Sequence, residues 1–217
     1  NRNLYDLYDE AHTPWEWHEP IIRRALSNGI DCFSTPFDET AVDFLEKLDV
    51  PAYKIASFEI THLPLIRKVA KTGKPIIMST GMATLEEIDE AVSCIKNNGN
   101  KNIVLLKCTS SYPASPKNSN IVTIKALQKR YDCMVGISDH TMGIGVSIAA
   151  VSHGASVIEK HFTLSRSDGG VDSSFSMEPN EMKMLVRESK AAWESLGKIS
   201  FGTNEEDKKS LEFRQSI

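Results

Sequence analysis

The chain has 217 residues, of which 41% are hydrophobic and 25% charged, with a formal net charge of −4. That composition is globular and supplies a real core, in one large domain or two small ones. Lys and Arg are dispersed, with no basic stripe for nucleic acid and no polybasic membrane anchor, and no apolar run approaches the ~20 residues of a membrane span.

The opening stretch NRNLYDLYDE is polar, unlike a signal peptide, and reads as the middle of a helix. With no initiating Met, it suggests a fragment of a longer protein. TPWEWHEP (Thr13–Pro20) holds two of the three tryptophans. It reads as a helix N-terminus packed on the core, with a lid or contact surface as the alternative.

Six short apolar runs then follow: Ile30–Pro36, Ala52–Ser57, Lys74–Thr80, Asn102–Thr109, Met134–Thr141 and Ser156–Thr163. Most are continuously apolar rather than alternating, as parallel strands covered on both faces are. Helical patterns fill the gaps. Thr40–Leu48 has i, i+3, i+4 apolar spacing. Leu63–Gly73 ends on a glycine suited to a C-terminal cap, and Thr84 with Glu87 has capping-box spacing. Ile121–Tyr131, the small apolar Gly143–Gly154 and the amphipathic Glu178–Gly197 complete the series. The repeating unit is βα, so the fold class is α/β with a parallel sheet. An open doubly wound sheet and a (β/α)8 barrel both fit the pattern. Every run ends in polar residues, which favours a barrel mouth: Ser34 and Thr35, Lys54 and Ser57, Ser79 and Thr80, Cys108 to Ser111, Ser138 to Thr141, His161 and Thr163. The four cysteines form no CxxC pair and read as free buried thiols in a reducing compartment.

His140 and His161 end successive runs. Neutral imidazole is a common ligand for Mn, Co, Zn or Fe, and two at neighbouring strand ends would leave an open coordination sphere for water or substrate. Asp139 and Glu159 are candidate partners behind the ligands. The alternative is two polar residues hydrogen-bonded to backbone at the barrel rim. Lys54 sits inside an apolar strand. It suits a Schiff base, an anion site, or an ion pair with a strand-end acid. With Thr35, Ser57, Ser79 and Ser110 around it, an anionic ligand with several oxygens is favoured. The loop SRSDGGVDSSFS offers Asp168 and Asp172 for sugar hydroxyls or metal, or is an ordinary turn. His12, His18, His62 and His153 carry no assigned chemistry.

Together, STPFDETAVDFLEKLDVPAYKIAS, GKPIIMSTGM, KCTSSYP, GISDHT and EKHFT resemble the sialic acid synthase family, the phosphoenolpyruvate-dependent nonulosonate synthases. SFEI after Lys54 and SRSDGGVDSSFSMEP are most similar to its pseudaminic acid synthase branch. N-acetylneuraminate and legionaminic acid synthases are the alternatives within the family. The resemblance implies a (β/α)8 TIM barrel, here about six consecutive βα units over residues 1–200 with the first two strands missing. Residues 201–217 would lead toward an absent antifreeze-like domain. It implies condensation of phosphoenolpyruvate with an open-chain amino-sugar aldehyde. Carbon 3 attacks the aldehyde, water adds at carbon 2, and phosphate leaves by C–O cleavage. A divalent metal is implied, Mn²⁺ first and Mg²⁺ or Co²⁺ next, on His140 and His161. Phosphoenolpyruvate would meet Lys54, Thr35, Ser57, Ser79 and Ser138. The family gives Lys54 no Schiff-base role. Ser110 falls where the neuraminate enzymes carry Asn. Tyr112 and Asp172 match sugar-contacting positions, and Glu59 follows the lysine strand. A cytoplasmic setting and a homodimer of the full-length protein are also implied. The family's acidic sugar-binding residue, its second phosphoenolpyruvate lysine and its partner-donated arginine have no match here. The fragment itself would then be inactive. A keto-acid aldolase using Lys54, and a binding module without catalysis, are the rival readings from other classes.

Overall fold

The computed structural model describes Asn3, Tyr5, Asp6 and residues 11–215. Most of the opening stretch read as helical therefore lies outside the described residues. Helices α1 (Trp15–Ser27) and α2 (Glu39–Lys47) precede strand β1 (Tyr53–Ile55). Then come α3 (Leu63–Ala70), β2 (Ile76–Ser79), α4 (Leu85–Asn97), β3 (Ile103–Cys108), α5 (Thr123–Tyr131), β4 (Met134–Ser138), α6 (Gly145–Ser152), β5 (Ile158–Glu159) and α7 (Pro179–Ser195).

The five strands form one parallel sheet in sequence order, β1 to β5. Each strand is joined to the next by a helix, the connection that parallel neighbours require. The sheet curls into a half-barrel, bringing an acid on β5 to a lysine on β1. Its helix-facing side is the core. Tyr53, Ile55, Leu65, Ile66, Ile76, Met78, Ile95, Leu105 and Ile124 have no more than 2% of their surface exposed. Burying each such Leu or Ile contributes about 1.5–3 kcal/mol.

The helices form where their sequences specify ends and a face. Asp38 caps α2 by accepting from the Ala41 amide at 2.9 Å, and Val42 and Leu45 bury one face. The capping box of α4 is present: Thr84 Oγ1 accepts from the Glu87 amide, and Glu87 returns the bond to the Thr84 amide. Gly73 follows α3 at φ +73°, a conformation that suits glycine. Trp15 stacks on Phe44 of α2 at 4.5 Å, so the TPWEWHEP segment is a helix start, but it rests on α2 rather than in the core: Trp15 and Trp17 stay about half exposed.

Two further expectations change. The sheet has five strands, not six: residues 30–36 are extended without being a strand. Their link to β1 is the Lys54 amide donating to the Ser34 carbonyl at 3.4 Å. Among the described residues nothing pairs with their outer side, so a single long bond cannot propagate a ladder. The cysteines are all free, yet only Cys108 is buried; Cys32, Cys94 and Cys133 are half-buried. Among the described residues, no helix is long and apolar enough to cross a membrane.

Candidate active site

Parallel strands place their C-terminal ends on one side, and the half-barrel gathers those ends around one cavity of about 320 Å³. Thr35, Lys54, Ser57, Ser79, Tyr112, Ser138, His140 and His161 line it, with Cys108 and Glu159 among them. Eight of the ten candidate residues therefore share one space. Ser110 and Asp172 sit just behind it. Ser110 Oγ lies 3.9 Å from Cys108 Sγ, and an Asp172 carboxylate oxygen lies 3.5 Å from His161 Nδ1. Asp168 stands apart on an exposed 3-10 turn, Arg166–Asp168, and does not line the cavity.

Lys54 is buried and held by the sheet's curvature. Its ammonium donates to Ser79 Oγ at 2.8 Å and to the Ile55 carbonyl at 3.3 Å. Glu159 Oε2 lies 3.5 Å away, so the strand-end ion pair is present as well. A buried ammonium needs such partners. Ser57 Oγ donates to Cys108 Sγ at 3.4 Å. Gly81 keeps this region tight: a Cβ there would stand 2.4 Å from Ser57 Oγ and 2.5 Å from Ser110 Oγ. The hydroxyls thus flank Lys54 in two groups, Ser79 bonded to it and Ser57 turned toward Cys108.

The two imidazoles lie 5.3 Å apart, centroid to centroid. His140 Nδ1 is 2.9 Å from the Thr109 carbonyl, an acceptor only, so Nδ1 carries the proton and donates. Its Nε2 then accepts from Ser138 Oγ at 3.4 Å. His161 Nδ1 faces an Asp172 carboxylate oxygen at 3.5 Å, a looser contact than that of His140. With Nδ1 of each ring facing an oxygen, the Nε2 atoms are the ones left to meet a cation. At His140 this would replace the Ser138 hydrogen bond and require the neutral ring. Burial pulls the His140 pKa down. The bonds to Cys108 and to the Thr109 carbonyl and the charges of Cys108 and Glu159 outweigh it, so positive charge is favoured there. Burial, assisted by His140 and Lys160, holds His161 below its usual value despite Asp172, and so keeps it neutral. This donor set fits a divalent cation with open positions. Among the described residues, no third His, Cys, Asp or Glu completes a protein cage.

Tyr112 covers the pair, its ring 4.3 Å from His140 and 5.9 Å from His161. Burial, with the charges of Cys108, Asp172 and Glu159, raises its pKa, so it remains a neutral phenol. Phe175 backs His161 at 5.1 Å and Tyr112 at 5.6 Å.

Asp139 is not the partner of His140. Its carboxylate points away and accepts from Thr141, Ser147 and Lys160. Consecutive residues on extended chain face opposite ways, so the acid beside a cavity histidine is turned to the other side. Two features escaped the sequence reading, the roles of Cys108 and Phe175, and one residue it named, Glu59, proves unusual. Cys108 lies at the centre of the hydroxyls. Burial pushes its thiol up, but hydrogen bonds from His140 and Ser57, the charge of His140 and a bond from Ser138 bring it to about 7. Phe175 was hidden in a loop that otherwise reads as a turn. Glu59 carries a buried carboxylate oxygen, Oε2, without a hydrogen-bond partner.

The NeuB family model matches residues 1–201. Pseudaminic acid synthase from Campylobacter jejuni is 42% identical over 216 residues, spanning 100% of this chain and 63% of that protein. N,N'-diacetyllegionaminic acid synthase of the same organism is 46% identical over 182 residues, 83% of this chain and 54% of that protein. The chain thus spans less than two thirds of the length of these curated relatives. A solved N-acetylneuraminic acid (sialic acid) synthetase from Leptospira borgpetersenii, in complex with citrate, superposes with a TM-score of 0.86 at 33% identity. That likeness covers 95% of this chain and 72% of the synthetase.

Proposed function

The chain belongs to the NeuB family, and from that premise we propose that the full-length protein is a pseudaminic acid synthase. It would join phosphoenolpyruvate to 2,4-diacetamido-2,4,6-trideoxy-L-altrose and release phosphate. The observation that carries this reading is one cavity in which a buried lysine among hydroxyls shares the space with two imidazoles 5.3 Å apart.

In the proposed mechanism Lys54 holds an anionic oxygen of phosphoenolpyruvate, and Thr35, Ser57, Ser79 and Ser138 donate to the others. Charge-assisted bonds in a dry site are strong and directional. The sugar aldehyde lies on the His140 and His161 side, so that carbon 3 of phosphoenolpyruvate approaches the aldehyde carbon. Holding both reactants in one cavity removes much of the entropic barrier. A divalent cation, Mn²⁺ first and Mg²⁺ or Co²⁺ next, would be held by His140 and His161 and would supply Lewis-acid polarisation of the aldehyde oxygen. The Thr109 carbonyl keeps His140 Nδ1 protonated, and Asp172 faces Nδ1 of His161. Tyr112 and Phe175 flank that side. One carbon–carbon bond forms, water adds its oxygen at carbon 2, and the carbon–oxygen bond to phosphate breaks.

Sugar choice would rest with the loop carrying Asp172 and with Tyr112 and Ser110, since a buried polar group left unpaired by the wrong sugar discriminates strongly. The higher identity to the legionaminic acid synthase, over a shorter span, supports a second reading with the diastereomeric sugar. Residues 201–217 would connect the barrel to a C-terminal antifreeze-like domain. The homodimer and the cytoplasmic setting implied by the resemblance belong to the same proposal.

The test is phosphate release by the full-length protein with each candidate sugar, with and without Mn²⁺, beside the His140→Ala/His161→Ala variant. Mn²⁺-dependent release with the altrose derivative, lost in the variant, supports the proposal. Release with another family sugar alone reassigns the substrate. Silence with every sugar returns the protein to a binding role. Borohydride trapping of pyruvate on Lys54 would instead favour the aldolase reading.

A further inference from the structure

Asp139 and Lys160 form the most enclosed ion pair among the described residues. The side chains are 0% and 3% exposed, with Nζ and Oδ2 3.2 Å apart. Each is the immediate sequence neighbour of one cavity histidine: Asp139 precedes His140, and Lys160 precedes His161. Asp139 also accepts from the Thr141 amide at 2.9 Å, Thr141 Oγ1 at 2.8 Å and Ser147 Oγ at 2.6 Å. Lys160 donates further to the Thr141 carbonyl at 2.6 Å and the Gly143 carbonyl at 3.1 Å. One ammonium thus ties the end of β5 to the end of β4 and to the turn before α6.

The ladder itself does little of that work. β4 and β5 pair at Ile137–Ile158 and Ser138–Glu159 and there the register ends. One more backbone bond follows, from the Asp139 amide to the Glu159 carbonyl at 2.9 Å. The histidines stand beyond it, each tied by its carbonyl to a different segment, His140 to the Ala114 amide at 2.9 Å and His161 to the Met177 amide at 2.8 Å. The Lys160 ammonium is therefore the side-chain link that joins the two strand ends to each other. A buried ion pair is poor evidence of net stability, because desolvation offsets the attraction; its better-attested use is to fix a register.

We propose that the Asp139–Lys160 pair is a positioning device that sets the spacing of the His140 and His161 imidazoles and thereby the site's affinity for a divalent cation. The inference deepens the cation reading above and rests on it for the affinity, but not for the spacing. Lys160 also lines the cavity, but its ammonium is engaged by Asp139 and the Thr141 and Gly143 carbonyls, so the pair acts through the histidines it precedes.

The experiment compares the full-length protein with Lys160→Met and with the double variant Lys160→Met/Asp139→Asn. The double variant removes both charges and so leaves no unpaired carboxylate to unfold the protein. Mn²⁺ binding is titrated by electron paramagnetic resonance, crystal structures give the imidazole spacing, and thermal melting is recorded beside them. The expected result is Mn²⁺ binding about 10–100-fold weaker, as found when groups behind metal ligands are removed, with spacing displaced from 5.3 Å. Unchanged affinity and spacing in the folded double variant overturn the proposal, even if melting falls. If the unmodified protein takes up no Mn²⁺, the cation reading fails by itself; the spacing then decides the positioning role, displaced in support and unchanged against.

Discussion

Lys54 on β1 and Glu159 on β5 stand 3.5 Å apart although their strands are the two edges of the sheet. Only strong curvature brings first and last strands together, and it closes one side of the cavity with an acid–base pair. An anion arriving at Lys54 meets the Glu159 charge as well. Glu159→Gln is therefore expected to tighten phosphoenolpyruvate binding several-fold, on the order of 1 kcal/mol for a half-exposed pair. Lys54→Met is expected to abolish it. Calorimetric titration checks both, and weaker binding in Glu159→Gln would show that the carboxylate contacts the ligand directly.

Gly81 is a steric requirement. An added Cβ would stand 2.4 Å from both Cβ and Oγ of Ser57. Gly81→Ala is expected to displace Ser57 or Ser110 at a cost of about 1–3 kcal/mol. The phosphoenolpyruvate KM should rise while the melting temperature falls by a few degrees. A normal KM would mean that Ser57 does not bind ligand.

Glu59 gives a pH test. Burial raises its carboxyl pKa against the opposing pull of Lys54 and His62. With the folded pKa above the unfolded one, the protonated group favours the fold below the unfolded pKa. That contribution is lost as pH rises through the folded pKa. Glu59→Gln should therefore raise the melting temperature by a few degrees at about pH 8, and the gain should vanish toward about pH 4. An equal gain at both pH values would disprove the burial argument.

Arg166 clamps the loop that carries Asp172. It donates to the Ser176 carbonyl at 2.9 Å and pairs with Glu178 and Glu181 at the start of α7. Ser176 in turn donates to the Asp172 carbonyl at 2.8 Å. Arg166→Met should speed amide hydrogen exchange across residues 165–176 and raise the sugar KM. Its stability cost should be no more than about 1 kcal/mol, since the pairs are partly exposed. Unchanged exchange would free the loop from this clamp.

Much of this architecture was readable from local chemistry. Thr84 and Glu87 announce the start of α4, and Gly73 the end of α3, because capping is a short-range event. The polar ends of the apolar runs identify the cavity because parallel strands all end on one side. What local pattern could not give is pairing and direction. Residues 30–36 have strand composition but one backbone bond to the sheet, and a strand needs a neighbour. Asp139 looks like the partner of His140 until alternation turns it away. Phe175 reads as part of a turn until the fold sets it against His161.

The strict sequence order of the sheet has a temporal meaning. Each strand pairs with the one made just before it, so structure accrues by short-range closures, the kind that form fastest. A chain emerging from the ribosome meets its partners in the order in which it is made. The lysine edge of the cavity is then laid down early and the histidine edge late, after α6 and β5 have docked. The Lys54–Glu159 contact across this mouth then forms only once β5 has docked.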